Sequence, residues 1–351
     1  MEKIIVSTGY MGSGSSAITY LVSEFEGCSN DLGSFEYVFL HCPNGLFDLE
    51  DKLLVSNNSL RSDEAIRTFE KCMDDLNSAK YWWVGNYHKH MGDIFEKSTK
   101  EFISQITKYN YDGFWYMHEK TDFKMFCKLL VQKPFKLLFG AKFEKVLKYN
   151  DGMRVSFVKA DEFYEHAKEF VKNILNRVAN GQSTVVLDQL LLPYNLHRID
   201  NYFDDNLKVI VTERDPRDVF ISNKYIWNHK NVMVPFPLDV DAFCQFYREM
   251  RESEKITNSD KILRVKFEDL IYKYADTVSE IRDFLGFKES QHIHKFERFD
   301  LEKSAKNTQQ FRHEMYTREV AIIEDKLSEY LYDFPFVVSN SPEDTYEGIE
   351  E

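Results

Sequence analysis

The feature that most constrains this chain of 351 residues is a glycine- and serine-rich turn between a predicted strand and a predicted helix. Lys3–Ser7 is rich in β-branched residues and predicts a buried strand, and apolar residues recur at helical spacing from Ile18 to Phe25. The segment between them, Gly9–Ser16, reads GYMGSGSS. Glycines allow the backbone to turn sharply near a ligand, and the N–H groups at a helix N-terminus attract anions. The segment therefore predicts a nucleotide-phosphate site, with a simple helix-capping turn as the alternative.

The residues that we expect to contact this anion all belong to the turn. They are Gly12, Ser13, Gly14, Ser15 and Ser16. The turn is not a Walker A motif, because no Gly-Lys-Ser/Thr sequence closes it. That absence counts against a P-loop phosphotransferase acting on a magnesium–nucleoside triphosphate, which stays an alternative function.

A second strand-to-helix junction carries an arginine where open α/β sheets bind ligands. Lys208–Thr212 predicts a strand, Asp215 is a suitable N-cap, and Pro216 is a suitable first helical residue. Arg214 is therefore expected at the carboxyl edge of the sheet, with Ser222 about two helical turns further on. An arginine fork and a hydroxyl predict a second phosphate site. The alternative is that Arg214 and Arg217 pair with Asp215, Asp218 or Glu213.

Strands and helices alternate along much of the sequence, and this pattern indicates an α/β fold with a mostly parallel sheet flanked by helices. Thr184–Leu187 and Leu263–Phe267 predict further strands. Residues 51–180 are mostly helical in pattern and rich in aromatics, notably at 81–83 and 114–116. We interpret them as a helical insertion that shapes the acceptor site of a single domain spanning residues 1–351. Residues 340–351 predict a loose acidic tail.

Apolar spacing also predicts the limits of four helices. One is expected to follow Ser62, and a second to end near Gly181. A third, with its apolar face ending at Leu285, is closed by Gly286, and the last extends from Val320 to Tyr330.

Composition restricts the classes of partner. The 45 Lys and Arg against 58 Asp and Glu give a net charge of −13, so a nucleic acid is not an expected partner. The five cysteines form no C-x-x-C pair, which argues against a disulfide framework or zinc site and fits a reducing cytoplasm. We expect no transmembrane segment, because no long apolar run occurs, and no cleavable leader, because strand-like residues begin at Ile4.

Four blocks, taken together and in order, resemble the sulfotransferase family. They are the Gly12–Ser16 turn, Arg214–Val219 (RDPRDV) with Ser222, Arg264–Leu270 (RVKFEDL) followed by Phe284–Gly286 (FLG), and Ser304–Asn307 (SAKN) with Arg312. The resemblance implies a P-loop-type α/β fold, 3′-phosphoadenosine 5′-phosphosulfate as the sulfuryl donor, and no metal. It assigns the turn to the 5′-phosphosulfate and Arg214 with Ser222 to the 3′-phosphate. It also assigns Lys306 and Arg312 to a basic loop that closes over the 3′-phosphate.

One residue departs from the family pattern. Gly12 stands where the family usually has Lys or Arg before the Ser-Gly pair, a cation that would neutralise charge developing on the leaving oxygen. A non-catalytic nucleotide-binding homologue is therefore a further alternative function.

Three residues are candidates for the group that removes the acceptor proton. Several sulfotransferases place a glutamate just after the first helix and its following turn, and Glu36 holds that position here. His41 could serve as a neutral imidazole, and Asp188 follows a predicted strand at the ligand-binding edge. We expect His41 or Asp188, if not the base, to contact the acceptor. Family analogy favours a saccharide or small-molecule acceptor.

Overall fold

The computed structural model describes residues 2–29, 35–80, 84–113, 123–140, 151–228 and 234–338. The chain divides into two compact units. The first unit combines Met1–Leu40 with Leu175–Glu351, and the second is His41–Ile174. The boundaries of the second unit lie near, but do not coincide with, the 51–180 limits of the predicted insertion.

The described strands follow one another along the chain as β1 (Lys3–Gly9), β2 (Cys28–Ser29), β3 (Tyr109–Gly113), β4 (Asp151–Val155), β5 (Thr184–Asp188), β6 (Leu207–Glu213) and β7 (Ile262–Lys266). Five of these described strands form a sheet in the first unit, in the spatial order β2–β5–β1–β6–β7. Every pairing in it is parallel. The predicted α/β class and its four predicted strands are confirmed.

The described α-helices are α1 (Ser15–Val22), α2 (Leu46–Glu50), α3 (Ser59–Asn77), α4 (Tyr87–Met91), α5 (Ile94–Ile106), α6 (Phe123–Phe139), α7 (Ala160–Ala179), α8 (Ile199–Tyr202), α9 (Pro216–Ile221), α10 (Val240–Glu252), α11 (Asp269–Tyr272), α12 (Tyr274–Leu285), α13 (Leu301–Ala305) and α14 (Thr317–Lys326). Short π-helical segments follow α2 and α9. The predicted ends of α7 near Gly181 and of α12 at Gly286 are confirmed, and both glycines have positive φ angles.

Two predicted helix limits were wrong. Helix α3 begins at Ser59, because the Asn58 side chain caps it by accepting a hydrogen bond from the Arg61 N–H. Ser62 instead lies inside α3 and donates its hydroxyl to the Ser156 carbonyl at 2.9 Å. The last helix ends at Lys326, and the turn that follows it as far as Tyr330 is 3₁₀.

The parallel sheet places its loops at one edge. Ser7 of β1 lies beside Asp188 of β5, and Gly9 lies beside Thr212 of β6. All of β5 is buried, as expected of a strand that is covered on both faces. The carboxyl ends of β1, β5, β6 and β7 therefore meet where the predicted ligand-binding residues follow them.

The second unit packs its helices around buried phenylalanines. Phe69 and Phe163 each meet Phe102 edge to face, and Phe170 stacks on Phe102 with ring centroids 5.1 Å apart. The unit also contains an antiparallel pair, β3–β4, that the sequence reading did not include. The aromatic runs at 81–83 and 114–116 lie outside the described residues.

All five cysteines are free. Cys42 and Cys72 nevertheless come together in the second unit, with their Sγ atoms 3.6 Å apart. The contact with Cys72 and burial both raise the pKa of the Cys42 thiol. In the described ranges, none of the helices has both the length and the apolar character needed to cross a bilayer.

Candidate functional site

The Gly12–Ser16 turn lies between β1 and α1 and exposes its backbone. Gly12 and Gly14 have φ angles of 77° and 84°, a left-handed conformation in which a side chain would be strained. A Cβ atom on Gly14 would also lie 2.8 Å from the Phe267 ring. Helix α1 begins at Ser15 with no side-chain cap from Gly14, so its first N–H groups point into the turn. The turn therefore combines open backbone donors with the positive end of a helix dipole.

The last residue of β5 and the residue after it form hydrogen bonds with two serines of this turn. The Gln189 amide donates to Ser15 Oγ at 2.9 Å, and Ser16 Oγ donates to Asp188 Oδ2 at 3.2 Å. Ser13 Oγ is buried and lies without a hydrogen-bond partner among the described residues. A buried hydroxyl in this position is a donor that an anion can use.

Arg214 links the turn to the rest of the edge. Its Nη1 donates to the Gly12 carbonyl at 3.0 Å. Its Nη2 donates to Ser222 Oγ at 3.2 Å and to the Asn307 carbonyl at 2.6 Å, while Nε is buried and unpartnered within the described ranges. The guanidinium also lies 5.5 Å from the centroid of the Phe267 ring. An arginine held by neutral acceptors keeps its full positive charge for a ligand.

Within this motif, Arg217 forms ion pairs with acidic side chains, whereas Arg214 forms none with the residues that the structure describes. Its Nη2 lies 2.7 Å from Asp215 Oδ2, and its Nη1 lies 2.7 Å from Glu324 Oε1. Its guanidinium also covers the Phe311 ring at 4.0 Å. The N-cap prediction is confirmed, because Asp215 Oδ1 accepts from the Arg217 N–H at 2.8 Å. Arg217 thus stabilises the start of α9.

The C-terminal segment is held against the same edge. Asp218 accepts hydrogen bonds from the N–H groups of Gln309 and Phe311, at 2.7 and 3.4 Å. Ser222 Oγ donates to Gln310 Oε1 at 3.3 Å. Lys306 and Arg312 occur on this segment with exposed side chains, and Arg312 Nε donates to Gln309 Oε1. The segment therefore approaches Arg214 through its backbone and through Ser222.

A cavity of about 480 Å³ opens beside Arg214, in the size range of small-molecule sites. The residues that give it its chemical character are Gly12, Gly14, Arg214, Phe267, Arg298 and Lys303. Three of these six are cations and the lining also includes the Asp300 carboxylate, so the cavity has a local excess of positive charge although the chain carries a net charge of −13. Trp227 also lines the cavity and lies against Gly12, where an added Cβ would be 3.0 Å from its ring.

The buried Glu24 carboxylate positions one of these cations. Glu24 Oε1 accepts from the N–H groups of Arg298 and Phe299, at 3.1 and 2.9 Å, and Oε2 contacts His292 Nε2 at 2.7 Å. Arg298 is therefore fixed by its backbone while its side chain lines the cavity. Sequence reasoning missed Arg298 and Lys303, and the only signal was their basic character ahead of the Ser304–Asn307 block.

Two candidate carboxylates lie side by side. The backbones of Glu36 and Asp188 form a parallel bridge, and the Tyr37 N–H donates to the Asp188 carbonyl at 3.2 Å. Burial is the main cause that raises the pKa of Asp188 to about 7, and the charge of Glu36 raises it further. Asp188 Oδ1 is buried and has no partner among the described residues. A carboxylate with this pKa can exchange a proton near neutral pH.

The structure thus brings most of the predicted residues of the first unit to one edge of the sheet. Glu36, Asp188, the Gly12–Ser16 turn, Arg214 and Ser222 all lie there. His41 belongs to the second unit, as its first residue. In the parts of the chain that are described, no group of three or more His, Cys, Asp or Glu is arranged to hold a metal ion.

Comparison with known families identifies the C-terminal part of the chain. Residues 123–329 match the family model described as the sulfotransferase domain. The predicted site residues inside this range are Asp188, Arg214, Ser222, Lys306 and Arg312. The Gly12–Ser16 turn and Glu36 precede it. No curated protein sequence matches the chain.

Solved structures of sulfotransferases resemble the chain at low sequence identity. The sulfotransferase domain from the curacin biosynthetic pathway is 13% identical, with a TM-score of 0.40, and the match covers 95% of this chain and 99% of that one. The sulfotransferase domain of the Synechococcus PCC 7002 olefin synthase is 14% identical, with a TM-score of 0.37 and coverage of 98% and 90%. A sulfotransferase from Mycobacterium avium is 15% identical, with a TM-score of 0.36 and coverage of 97% and 78%.

Proposed function

The chain belongs to the sulfotransferase family, and from that premise we propose that it transfers a sulfuryl group from 3′-phosphoadenosine 5′-phosphosulfate to a hydroxyl or amine acceptor. The observation that carries the choice of donor is the position of Arg214. Its guanidinium contacts both the Gly12 carbonyl and Ser222 Oγ, so it lies between two anion-binding elements. A donor with separate 5′ and 3′ phosphate groups needs two such elements at a fixed distance.

The chemical groups in the cavity support this donor. Ser13 Oγ and Arg214 Nε are buried donors without partners among the described residues, and either can bind a phosphate oxygen. We assign the Gly12–Ser16 turn to the 5′-phosphosulfate and Arg214 with Ser222 to the 3′-phosphate. Lys306 and Arg312 keep their assignment to the loop over the 3′-phosphate.

Cations outside the turn take the role that Gly12 cannot fill. The donor supplies the sulfuryl group, and negative charge develops on its leaving phosphate oxygen. Arg298 and Lys303 line the same cavity as Gly12, and we assign them to the stabilisation of that charge. This assignment favours a catalytic protein over a non-catalytic homologue.

We propose that Glu36 is the base that removes the acceptor proton and that Asp188 lies beside it. In the transfer, the acceptor oxygen or nitrogen forms a bond to sulfur as the bond from sulfur to the phosphate oxygen breaks, and the acceptor proton passes to a carboxylate. Glu36 is only half-buried, whereas Asp188 is buried and holds Ser16. Asp188 is therefore better suited to hold the turn, and Glu36 is better placed to meet an incoming acceptor.

The proposed acceptor is a saccharide or another small molecule that presents a hydroxyl. Family analogy supports a saccharide. The five free cysteines support a reducing compartment, and we propose that the protein works in the cytoplasm.

Calorimetric titration of the full chain tests the donor assignment. The ligands are 3′,5′-bisphosphoadenosine, ADP, and ATP with magnesium. We expect the bisphosphate to bind at least about tenfold more tightly than ADP, because only the bisphosphate carries a 3′-phosphate for Arg214. Preference for ATP with magnesium would instead favour a phosphotransferase and would contradict the proposal. Binding of the bisphosphate without turnover of labelled donor, over a panel of saccharide and small hydroxyl acceptors, would favour the non-catalytic homologue.

A further inference from the structure

Helix α6 carries an unusually exposed apolar surface. Phe123, Leu137 and Leu138 expose 80%, 91% and 74% of their surface, and Phe126 and Leu130 each expose 56%. Large apolar side chains are seldom exposed in such a continuous group on a soluble surface, and such groups mark interaction sites. The exposed side chains of α6 therefore indicate an interaction surface.

Eight apolar residues of α6 share one face of the helix, while Leu129, Phe135 and Phe139 lie outside that face and are exposed as well. At about 100° per residue, an uninterrupted apolar arc of about 140° contains Phe123, Phe126, Cys127, Leu130, Val131, Pro134, Leu137 and Leu138. Every one of these eight side chains is exposed. Gln132 lies about opposite the centre of the arc and is buried, at 8% exposure. Gln132 is therefore buried while apolar side chains around much of the helix are exposed, the reverse of a helix that packs an apolar face on a core.

The charge of α6 is opposite to that of the whole chain. Its 17 residues include four lysines, at 124, 128, 133 and 136, and no Asp or Glu, in a chain with a net charge of −13. Lys133 and Lys136 fall outside the apolar arc and are exposed, and Lys133 lies beside its edge. Lysines that flank an apolar face can keep their charges in the water while their stems lie along the apolar surface.

We propose that α6 docks on an anionic lipid surface, with its apolar arc in the acyl boundary and with Lys133 and Lys136 against the head groups. An exposed helix that combines apolar side chains with lysines and has no acidic residue can lie in the interface of an anionic membrane, with the apolar side chains at the acyl boundary. A second copy of α6 fits less well, because two surfaces that each carry four positive charges would repel. The interior of a membrane fits less well too, because 17 residues with four lysines are too short and too charged to span it.

Co-sedimentation of the full chain with lipid vesicles tests the proposal. The vesicles contain phosphatidylcholine alone or an equimolar mixture with phosphatidylglycerol. We expect binding to the mixed vesicles that weakens as salt is added. The double variant Leu130→Glu/Leu137→Glu should lose about a hundredfold in binding, because two buried leucines are replaced by charges. The variant Lys133→Gln/Lys136→Gln should lose about fivefold for each lysine.

Matched substitutions elsewhere separate the helix from general surface effects. Val55 and Ile256 are each 79% exposed, and the variant Val55→Glu/Ile256→Glu adds the same charge away from α6. Lys159 and Lys172 are exposed, and Lys159→Gln/Lys172→Gln removes the same charge as the lysine variant. Both controls should bind vesicles as the wild type does.

Two results would overturn the inference. The first is no difference between the wild type and the α6 leucine variant on mixed vesicles, including no binding by either. The second is a wild-type dimer, seen by light scattering without lipid, that the leucine variant converts to a monomer. That result would assign the apolar arc to a second copy of the chain. Donor binding is measured separately, so neither result depends on the proposed sulfuryl transfer.

Discussion

Two arginines three positions apart in one motif have different roles because of their partners. Arg214 and Arg217 are equally buried, at 7% and 8% exposure. Arg217 is neutralised by Asp215 and Glu324, whereas Arg214 is bound to two carbonyls and a hydroxyl. Carbonyl and hydroxyl acceptors can be exchanged for phosphate oxygens at little electrostatic cost, while a buried carboxylate cannot be left unpaired. Residue type alone did not distinguish the two arginines.

Replacing Arg214 with Ala should weaken binding of 3′,5′-bisphosphoadenosine by about a hundredfold, because a buried charged hydrogen-bond donor to phosphate is removed. Binding of the analogue that lacks the 3′-phosphate should change by much less. Calorimetry with both ligands measures the difference. The contrasting variant is Arg217→Ala, which should lower the free energy of unfolding by about 3 kcal/mol because Asp215 loses its ion pair. Equal losses for both ligands in Arg214→Ala would contradict the 3′-phosphate assignment.

Substitution of Glu36 with Gln should lower the pKa of Asp188 from about 7, because the negative charge of Glu36 is one of the causes that raise it. Carboxyl ¹³C NMR titration of labelled protein measures this pKa directly. The variant should also transfer sulfuryl groups at least about a hundredfold more slowly, since general-base catalysis contributes that much. Glu26 is exposed, so Glu26→Gln is the matched control, and neither the pKa nor turnover should change in it. Retained turnover in Glu36→Gln would move the base to Asp188 or His41.

At the scale of elements, the strongest local signals were reliable. Runs of β-branched residues predicted β1 and β6, and Asp215 with Pro216 predicted the start of α9. Strand β2 is only two residues long and pairs with β5, so local sequence contains too little to reveal it. The β3–β4 pair joins Tyr109–Gly113 to Asp151–Val155, which lie far apart in the chain and show no clear alternation. Pairing that depends on distant partners is not encoded in a local pattern.

Gly14→Ala should disable the turn, because the residue has a positive φ and its new Cβ would lie 2.8 Å from Phe267. We expect a loss of at least about tenfold in binding of the bisphosphate, together with a fall in the free energy of unfolding of about 2 kcal/mol. Gly27 is the matched control, since its φ is +75° and an added Cβ would meet nothing within 4 Å. Gly27→Ala should cost about 1 kcal/mol and leave binding unchanged. If both variants bind the bisphosphate equally well, the turn is not part of the donor site.

At the scale of the whole molecule, the site combines segments from both ends of the chain. The parallel sheet made part of this combination predictable, because Gly12–Ser16, Asp188 and Arg214 all follow strands that end at one edge. Arg298 and Lys303 were not predictable, because the position of Arg298 depends on the buried Glu24, which lies 274 residues earlier. Local basicity of the cavity within a chain of net charge −13 likewise depends on the tertiary arrangement.

Two buried carboxyl groups should make the stability of the molecule fall as the pH rises. Burial raises the pKa of Asp188 to about 7 and that of Glu268 to about 8, from ordinary values of 3.8 and 4.5. In each of them one oxygen is buried and lacks a partner among the described residues, which favours the protonated form. The folded state therefore keeps protons that the unfolded chain releases between these values. The resulting loss of stability is absent below about pH 4, grows between about pH 4 and pH 8, and levels off above about pH 8.

Chemical unfolding at a series of pH values measures this dependence. We expect the free energy of unfolding to be lower at pH 8 than at pH 5 by at least about 1 kcal/mol, given about 1.4 kcal/mol for each unit of pKa shift. Asp188→Asn and Glu268→Gln should each flatten the curve, because neither amide can release a proton. Asp205→Asn is the control, since Asp205 is fully exposed, and it should leave the slope unchanged. A wild-type stability that rises across this interval, with the same slope in Asp188→Asn and Glu268→Gln, would mean that both carboxyls are ionised in the folded state. The pKa of Asp188 could then not support its role beside Glu36.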